Sequence, residues 1–561
     1  MITITISTLL LISLSSTSAA EHNITNSTVG GLNKTVAEST DGDWINLENG
    51  IYTDNITNII IDKNLTIKGE SRENTILNAQ QLGRIFYINP GNTLTLINIT
   101  IINGYANSGG AIFNNGGKIT LTNCNFSNNT ANDGSGGAIF NSGPNMEVTN
   151  SNFSNNTASR TAGAIFNNAI NITVINSVFN NNVAGIDGGA IEHSGSNLKI
   201  INSRFTNNRA NSSGGAVYNY ASDLEVTNSN FTNNTSLAPD SWGGGAIYST
   251  GGNKVIINSS KFTNNKATSY GGAIDIYYGD NITVTNSEFN ENNASYGGAI
   301  FNTAGTKFLI NSSKFNKNKA SNDGGAIYNY YTEEMNVVDS NFTENTAKGY
   351  GGVIFNDAMM KLSGNIMENN NAILGKEIYN NGSMGILKLK YLNNSTIKVN
   401  NKTKINIYAT LTDDMGNSIT GQNISFYVNG EYIGVSDVIE GYATIKYTVI
   451  GNKNDNLQVT GNYSGHDTYA INIANGMILI VANQTNHTNN TNHSNINNEN
   501  NTTNQNSNNI ANAKMKETGI PTTIILVLVS LVGSILIKRK KIDNNTNDNI
   551  LNVLKEFDSF N

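Results

Sequence analysis

The sequence predicts an all-β chain: a right-handed parallel β-helix, then an Ig-like β-sandwich, then a single C-terminal transmembrane helix. Three observations predict it. A phrase, GGAI or a near variant, recurs ten times at steps of 26–30 residues, its second glycine at Gly110, Gly137, Gly163, Gly189, Gly215, Gly245, Gly272, Gly298, Gly325 and Gly352. After residue 383 the phrase stops and longer alternating runs follow, such as TKINIYATL and GYATIKYTV. Ile520 to Ile537 is an apolar run without charge, followed at once by Lys538, Arg539, Lys540 and Lys541.

In chain order, residues 1–20 are expected to be a signal peptide. A short apolar run at Leu9 to Ile12 leads to Ser18 and Ala20, small residues suited to a cleavage site. Residues 21–43 are assigned as an N-terminal lead. Residues 44–383 form the repeat region. Its Gly, Asn, Thr and β-branched residues are poor helix formers. A fixed period of this length signals stacked repeats, here one coil of a parallel β-helix each. About 13 coils at about 4.8 Å each make a stack of about 60 Å.

Stacking turns each repeat position into a column. The fourth residue of the phrase is always aliphatic, Ile112 through Ile354, and is expected to face the interior. So is a column of phenylalanines, Phe126, Phe153, Phe179, Phe205, Phe231, Phe262, Phe289, Phe315 and Phe342. Strand parity also points Asn114, Asn141, Asn167, Asn219, Asn302, Asn329 and Asn356 inward, as a ladder of bonded amides interrupted by His193, Ser249 and Ile276. A second asparagine column, Asn123, Asn150, Asn176, Asn202, Asn228, Asn258, Asn286 and Asn311, precedes the phenylalanines. The glycine pair suits tight corners.

The column between the aliphatic residue and the inward Asn has the opposite parity and is expected to face solvent. Its aromatic members Phe113, Phe140, Phe166, Tyr218, Tyr248, Phe301, Tyr328 and Phe355 form the candidate binding surface; Glu192 and Asp275 share the column. Such rings can stack on sugars, or on one another to stabilise neighbouring coils. Lys261, Glu288 and Lys314 alternate in sign on consecutive coils, an exposed ladder worth about 0–1 kcal/mol per pair.

Residues 384–482 hold about seven strand-like runs separated by turn signals, which fits the Ig-like sandwich. Residues 483–517 are mostly Asn, Thr and Ser, too polar to bury a core, and are expected to be a disordered stalk. Residues 518–537 are the predicted transmembrane helix and 538–561 a cytoplasmic tail, because basic residues stay inside. The expected location is the cell surface, as a single-pass membrane protein with the N-terminal part outside. Roughly thirty N-x-S/T sequons precede the span, which a glycosylating host can modify.

Composition narrows the function. The net charge is -7 and no basic stripe occurs, so no nucleic-acid partner is expected. Cys124 is the single cysteine, which excludes an intramolecular disulfide. The five histidines are scattered, so neither a metal site nor a cofactor is expected. No enzyme is expected either. Glu192 and Asp275 stand three coils apart, about 14 Å, beyond the roughly 9.5 Å reach of paired glycosidase carboxylates. Asp187 and Asp323 share a column five coils apart, and Glu192 and His193 point to opposite faces.

The GGAI and FxxN phrases resemble the repeats of chlamydial polymorphic outer-membrane proteins. The whole plan is similar to the adhesin-like surface proteins of methanogenic archaea. KETGIP before the apolar run (Lys516 to Pro521) also looks similar to a sorting signal. The resemblance implies an archaeal, glycosylated surface adhesin whose β-helix meets a glycan or cell-surface partner, but it supplies no defined binding residues. The competing expectations are a structural envelope protein without a discrete ligand and, ranked after it, a polysaccharide-degrading β-helix enzyme.

Overall fold

The computed structural model describes residues 19–481, apart from 221–222, 239–242, 359, 364, 381–385, 389–395, 413–419 and 465–471. Residues 1–18 of the expected signal peptide, and the expected stalk, transmembrane helix and tail, lie outside the described residues. Among the described residues no helix is long and apolar enough to cross a membrane. The helix Gly31–Glu38 has eight residues, against the roughly 20 that a span needs. The single-pass membrane location is therefore corrected: the structure does not support it.

The repeat region is a right-handed parallel β-helix. One coil shows the plan. Ile112–Asn114 turns into Lys118–Thr122, then Asn125–Ser127, then Thr130–Ala131. Each strand pairs in parallel with its counterpart one coil on: Ile112 with Ile139, Leu121 with Val148, Phe126 with Phe153, Ala131 with Ala158. Alternation then decides burial. Ile119 and Leu121 are enclosed, while Thr120 and Thr122 between and beyond them are half-buried. The nine phenylalanine strands belong to a sheet of thirteen among the described residues, one strand per coil.

The interior columns are as the repeat predicts. The aliphatic residues from Ile112 to Ile354 are fully buried, and so are the nine phenylalanines. Those rings stack at 4.7–4.9 Å between centroids. Asn114 donates through Nδ2 to Asn141 Oδ1 at 2.5 Å, and Asn141 donates to Asn167. His193 continues that ladder, with Asn167 Nδ2 2.8 Å from its Nδ1. Burial holds the His193 ring neutral, pushing its pKa down to about 4.

A second, longer amide ladder lies behind the phenylalanines. Asn129, Asn156, Asn182, Asn208, Asn234, Asn265, Asn292, Asn318, Asn345 and Asn370 are buried, and each Nδ2 from Asn129 to Asn345 donates to the Oδ1 one coil on at 2.9–3.0 Å. The same oxygens accept the neighbouring backbone N–H, as Asn182 Oδ1 does from Asn156 at 3.1 Å. A buried serine row does similar work: Ser151 Oγ accepts the Cys124 N–H at 3.0 Å, and Ser177 Oγ accepts that of Ser151 at 3.1 Å.

Corners require φ > 0, where Asn is tolerated better than most residues. Asn123, Asn150, Asn176, Asn202, Asn228 and Asn286 take it, with φ of 50–55°. Asn258 and Asn311, expected in this column, end strands instead; Ser259 and Ser312 turn those corners. At the glycine pair, Gly188 has φ 63°, and a Cβ on Gly189 would stand 2.0 Å from the Gly215 carbonyl oxygen.

The stack begins earlier than the expected boundary at Trp44. Glu21–Ile24 pairs in parallel with Trp44–Leu47, so residues 21–43 contain part of the first coil. The helix Gly31–Glu38 buries Leu32 and Val36 against this end. Lys63 Nζ donates to the carbonyls of Val36, Ala37 and Ser39 at 3.1–3.4 Å, satisfying the helix C-terminus.

Beyond the coils, strands at 386–388, 404–412 and 442–448 form one sheet, and 396–399, 472–480, 456–463, 423–428 and 431–437 form another. The sheets share a core that includes Leu411, Ala443, Phe426, Val459 and Ile478.

Candidate functional site

The predicted aromatic surface is not the wet row that parity alone implies. Phe113, Phe140, Phe166, Tyr218 and Tyr328 are half-buried, and Tyr248, Phe301 and Phe355 are buried, at 1%, 8% and 8% exposure. The column does face away from the interior, but other side chains lie over several of its rings. The Arg84 guanidinium lies 4.9 Å above the Phe113 ring. Tyr270 packs 4.4 Å from Phe301, and Tyr296 meets Tyr328 edge-on at 5.4 Å. The rings also stack on each other: Phe113, Phe140 and Phe166 at 4.8 Å, Tyr218 and Tyr248 at 5.1 Å, Phe301 and Tyr328 at 5.1 Å, Tyr328 and Phe355 at 4.4 Å. Much of this column is coil-to-coil packing.

The stack breaks where Glu192 and Asp275 replace rings. Register places Glu192, Tyr218, Tyr248 and Asp275 on four successive coils, so two carboxyls bracket a tyrosine pair. Burial drives both acids toward the protonated form, Glu192 to about 7 and Asp275 to about 8. The charge of Asp187 pushes Glu192 the same way, and Asp187 itself is raised by burial. Glu192 Oε2 and Asp275 Oδ1 are enclosed without a hydrogen-bond partner among the described residues. Protonation suits such sites, because a neutral carboxyl costs far less to enclose than a carboxylate.

Beside this break lies a cleft of 360 Å³ lined by Asp187, Ser212, Ser213, Tyr218, Tyr220, Tyr248, Thr250 and Tyr277. Asp187 accepts the Ser213 N–H at 2.8 Å, which fixes the carboxylate at the cleft wall. Asp323, its partner in the sequence column, accepts the Tyr350 N–H at 2.7 Å far along the stack, so the two acids hold backbone on separate coils. Tyr220 is 53% exposed. The cleft thus offers aromatic faces, hydroxyls and one carboxylate, the group types that bind a saccharide. Tyr220 and Tyr277 were not singled out from sequence, although their place two residues past the outward column, with the same parity, marks them as outward. Among the described residues no group of three or more His, Cys, Asp or Glu side chains could hold a metal ion.

Comparisons with solved structures give weak likenesses. Fibronectin(III)-like modules of Clostridium thermocellum CbhA share 18% identity at a TM-score of 0.15, over 21% of this chain and 56% of theirs. The chain thus spans little more than half of those modules. The PL6 family alginate lyase AlyGC shares 8% identity at a TM-score of 0.20, over 63% of this chain and 86% of that one. ORF18 of Geobacillus virus E2 shares 10% identity at a TM-score of 0.20, over 77% and 68%. No curated protein matches. The family described as "Right handed beta helix region" matches residues 83–245 and 214–395, together more than half of the sequence. The chain belongs to this right-handed β-helix family.

Proposed function

We propose that the chain is an adhesin-like binding protein whose β-helix presents the Tyr220 cleft to glycans of a cell or envelope surface. One observation carries the reading: three half-exposed or exposed tyrosines, two serines, a threonine and a carboxylate converge on one cleft where the outer ring stack is broken. Aromatic faces take the apolar side of a sugar ring, and the polar groups take its hydroxyls. The rest of the aromatic column is assigned to packing, and the two-sheet module at 384–482 to an Ig-like spacer.

We read the chain as a binder and not an enzyme. Glu192 and Asp275 are three coil steps apart, about 14 Å, too far to act on one glycosidic bond. A glycan array probed with the full chain, followed by titration of the best hit, tests the proposal. Tyr220→Ser is expected to weaken binding about tenfold while thermal unfolding is unchanged. Binding insensitive to Tyr220→Ser, or no binding to any glycan, removes the proposal. Release of reducing ends from the bound glycan, lost in Glu192→Gln, replaces it with an enzyme.

A further inference from the structure

The cleft opens onto a second outward row, two residues past the ring column. Parallel register aligns Tyr220, Thr250, Tyr277, Thr303 and Tyr330 on five successive coils. The row alternates phenol and hydroxyl at every step and ends at Asp357. Consecutive tyrosines are therefore two coils apart, about 9.6 Å at about 4.8 Å per coil. Ring pairs attract at about 4.5–7 Å between centroids. Stacking from one tyrosine of the row to the next thus cannot explain it, although Tyr330 also lies 6.2 Å from Tyr328 of the inner column.

Two further tyrosines flank the row. Tyr278 meets Tyr277 edge-on at 4.4 Å, and Tyr331 lies 3.9 Å from Tyr330. Tyr278 and Tyr331 hold φ of 55° and 54°, a region that bulky side chains enter only at a cost. Both are mostly exposed, at 58% and 64%. Interior packing does not require aromatic residues at two strained, solvent-facing corners. From Tyr220 to Tyr330 the row itself contains no charged side chain.

We propose, resting on the glycan-binding reading above, that this row is a track for a neutral, extended β-linked polysaccharide lying along the coil axis. Sugar rings seat on Tyr220, Tyr277 and Tyr330, while Thr250 and Thr303 bond hydroxyls between them. In a β-1,4-linked chain of equatorial sugars each ring is turned over relative to the last. The same face therefore returns with every second sugar, close to the two-coil spacing. A curved α-linked chain leaves the row well before four coil steps, about 19 Å. The absence of charge from the row matches a neutral chain better than a polyuronate.

Calorimetric titration of the full chain with cellobiose and cellohexaose tests this. Cellohexaose is expected to bind at least about tenfold more tightly than cellobiose, because it reaches more than one tyrosine. Tyr330 lies outside the cleft, so Tyr330→Ser is expected to lower cellohexaose affinity about tenfold and leave cellobiose unchanged. Tyr330→Phe, which keeps the ring, restores the affinity. Equal affinities for the two sugars, equally tight binding of maltohexaose, or no effect of Tyr330→Ser overturns the track and leaves the cleft reading standing. Binding of no neutral glycan overturns both. Unfolding temperatures confirm that each variant is folded.

Discussion

The buried amide ladder makes a quantitative prediction at Asn182. This side chain is fully buried and makes four bonds across three coils. Its Nδ2 donates to Asn208 Oδ1 and to the Phe153 carbonyl, both at 3.0 Å. Its Oδ1 accepts from Asn156 Nδ2 at 3.0 Å and from the Asn156 backbone N–H at 3.1 Å. Asn182→Ala removes all four. Asn156 Nδ2 keeps its bond to the Phe126 carbonyl, but the Asn156 N–H loses its side-chain acceptor inside the core. At about 1 kcal/mol net per lost bond, and more where a buried donor is stranded, the loss is expected to be about 3–5 kcal/mol. Asn152→Ala is the control: its Nδ2 makes one part-buried bond to Asn125 Oδ1, and about 0.5 kcal/mol is expected. Urea unfolding followed by circular dichroism reads the global term. Because coils in a solenoid interact mainly with their neighbours, part of the loss can appear as local opening. Amide hydrogen exchange at Asn156 reads that directly. A loss below about 1 kcal/mol, with the Asn156 amide as protected as in the parent, refutes the claim that this ladder holds the coils together.

Three other outcomes are expected. Ala162 occupies the corner position where the flanking coils have Gly136 and Gly188, and it holds φ 60°; Ala162→Gly should therefore stabilise the chain by about 1 kcal/mol, checked by urea unfolding. Cys124 stands in the serine row and is fully buried, and burial pushes its thiol up to about 12; iodoacetamide at pH 8 should leave it unmodified in the folded chain and label it in urea, and Cys124→Ser should change stability by less than about 1 kcal/mol. Glu192 and Asp275 have folded-state pKa values raised by burial, so their contribution is fully present below the unfolded carboxylate range near pH 4 and is lost as pH rises through about 7 and about 8. The unfolding temperature should fall over that window, and Asp275→Asn should flatten the fall.

The period and the parity of each strand were legible because stacking repeats one decision many times. Ile112, Phe126 and Asn114 each recur in columns too uniform to arise on an exposed surface, and all three columns are buried. The Asn129 ladder was hidden within the same phrase. Two adjacent asparagines look alike in sequence, yet Asn128 turns a corner at φ 55° while Asn129 points inward. Only the corner conformation separates them. The exposure of the outer rings was misjudged for a different reason. Parity gives the direction of Phe301 but not what lies above it, and Tyr270, which covers it, precedes a glycine pair, outside the strands on which parity operates. The cleft depends on such preceding residues and on a row two residues further along, so it emerged only from the register between coils.

The helix Gly31–Glu38 has a consequence for self-association. It packs beside Ile59–Ile61, a strand whose only sheet partner among the described residues is the following coil. An uncovered strand edge is a template for another chain. Without that helical plug, the exposed amides and carbonyls of the leading turn could zip onto the terminus of a second molecule. The amphipathic helix thereby shields one of the edges at which a second solenoid would add its coils.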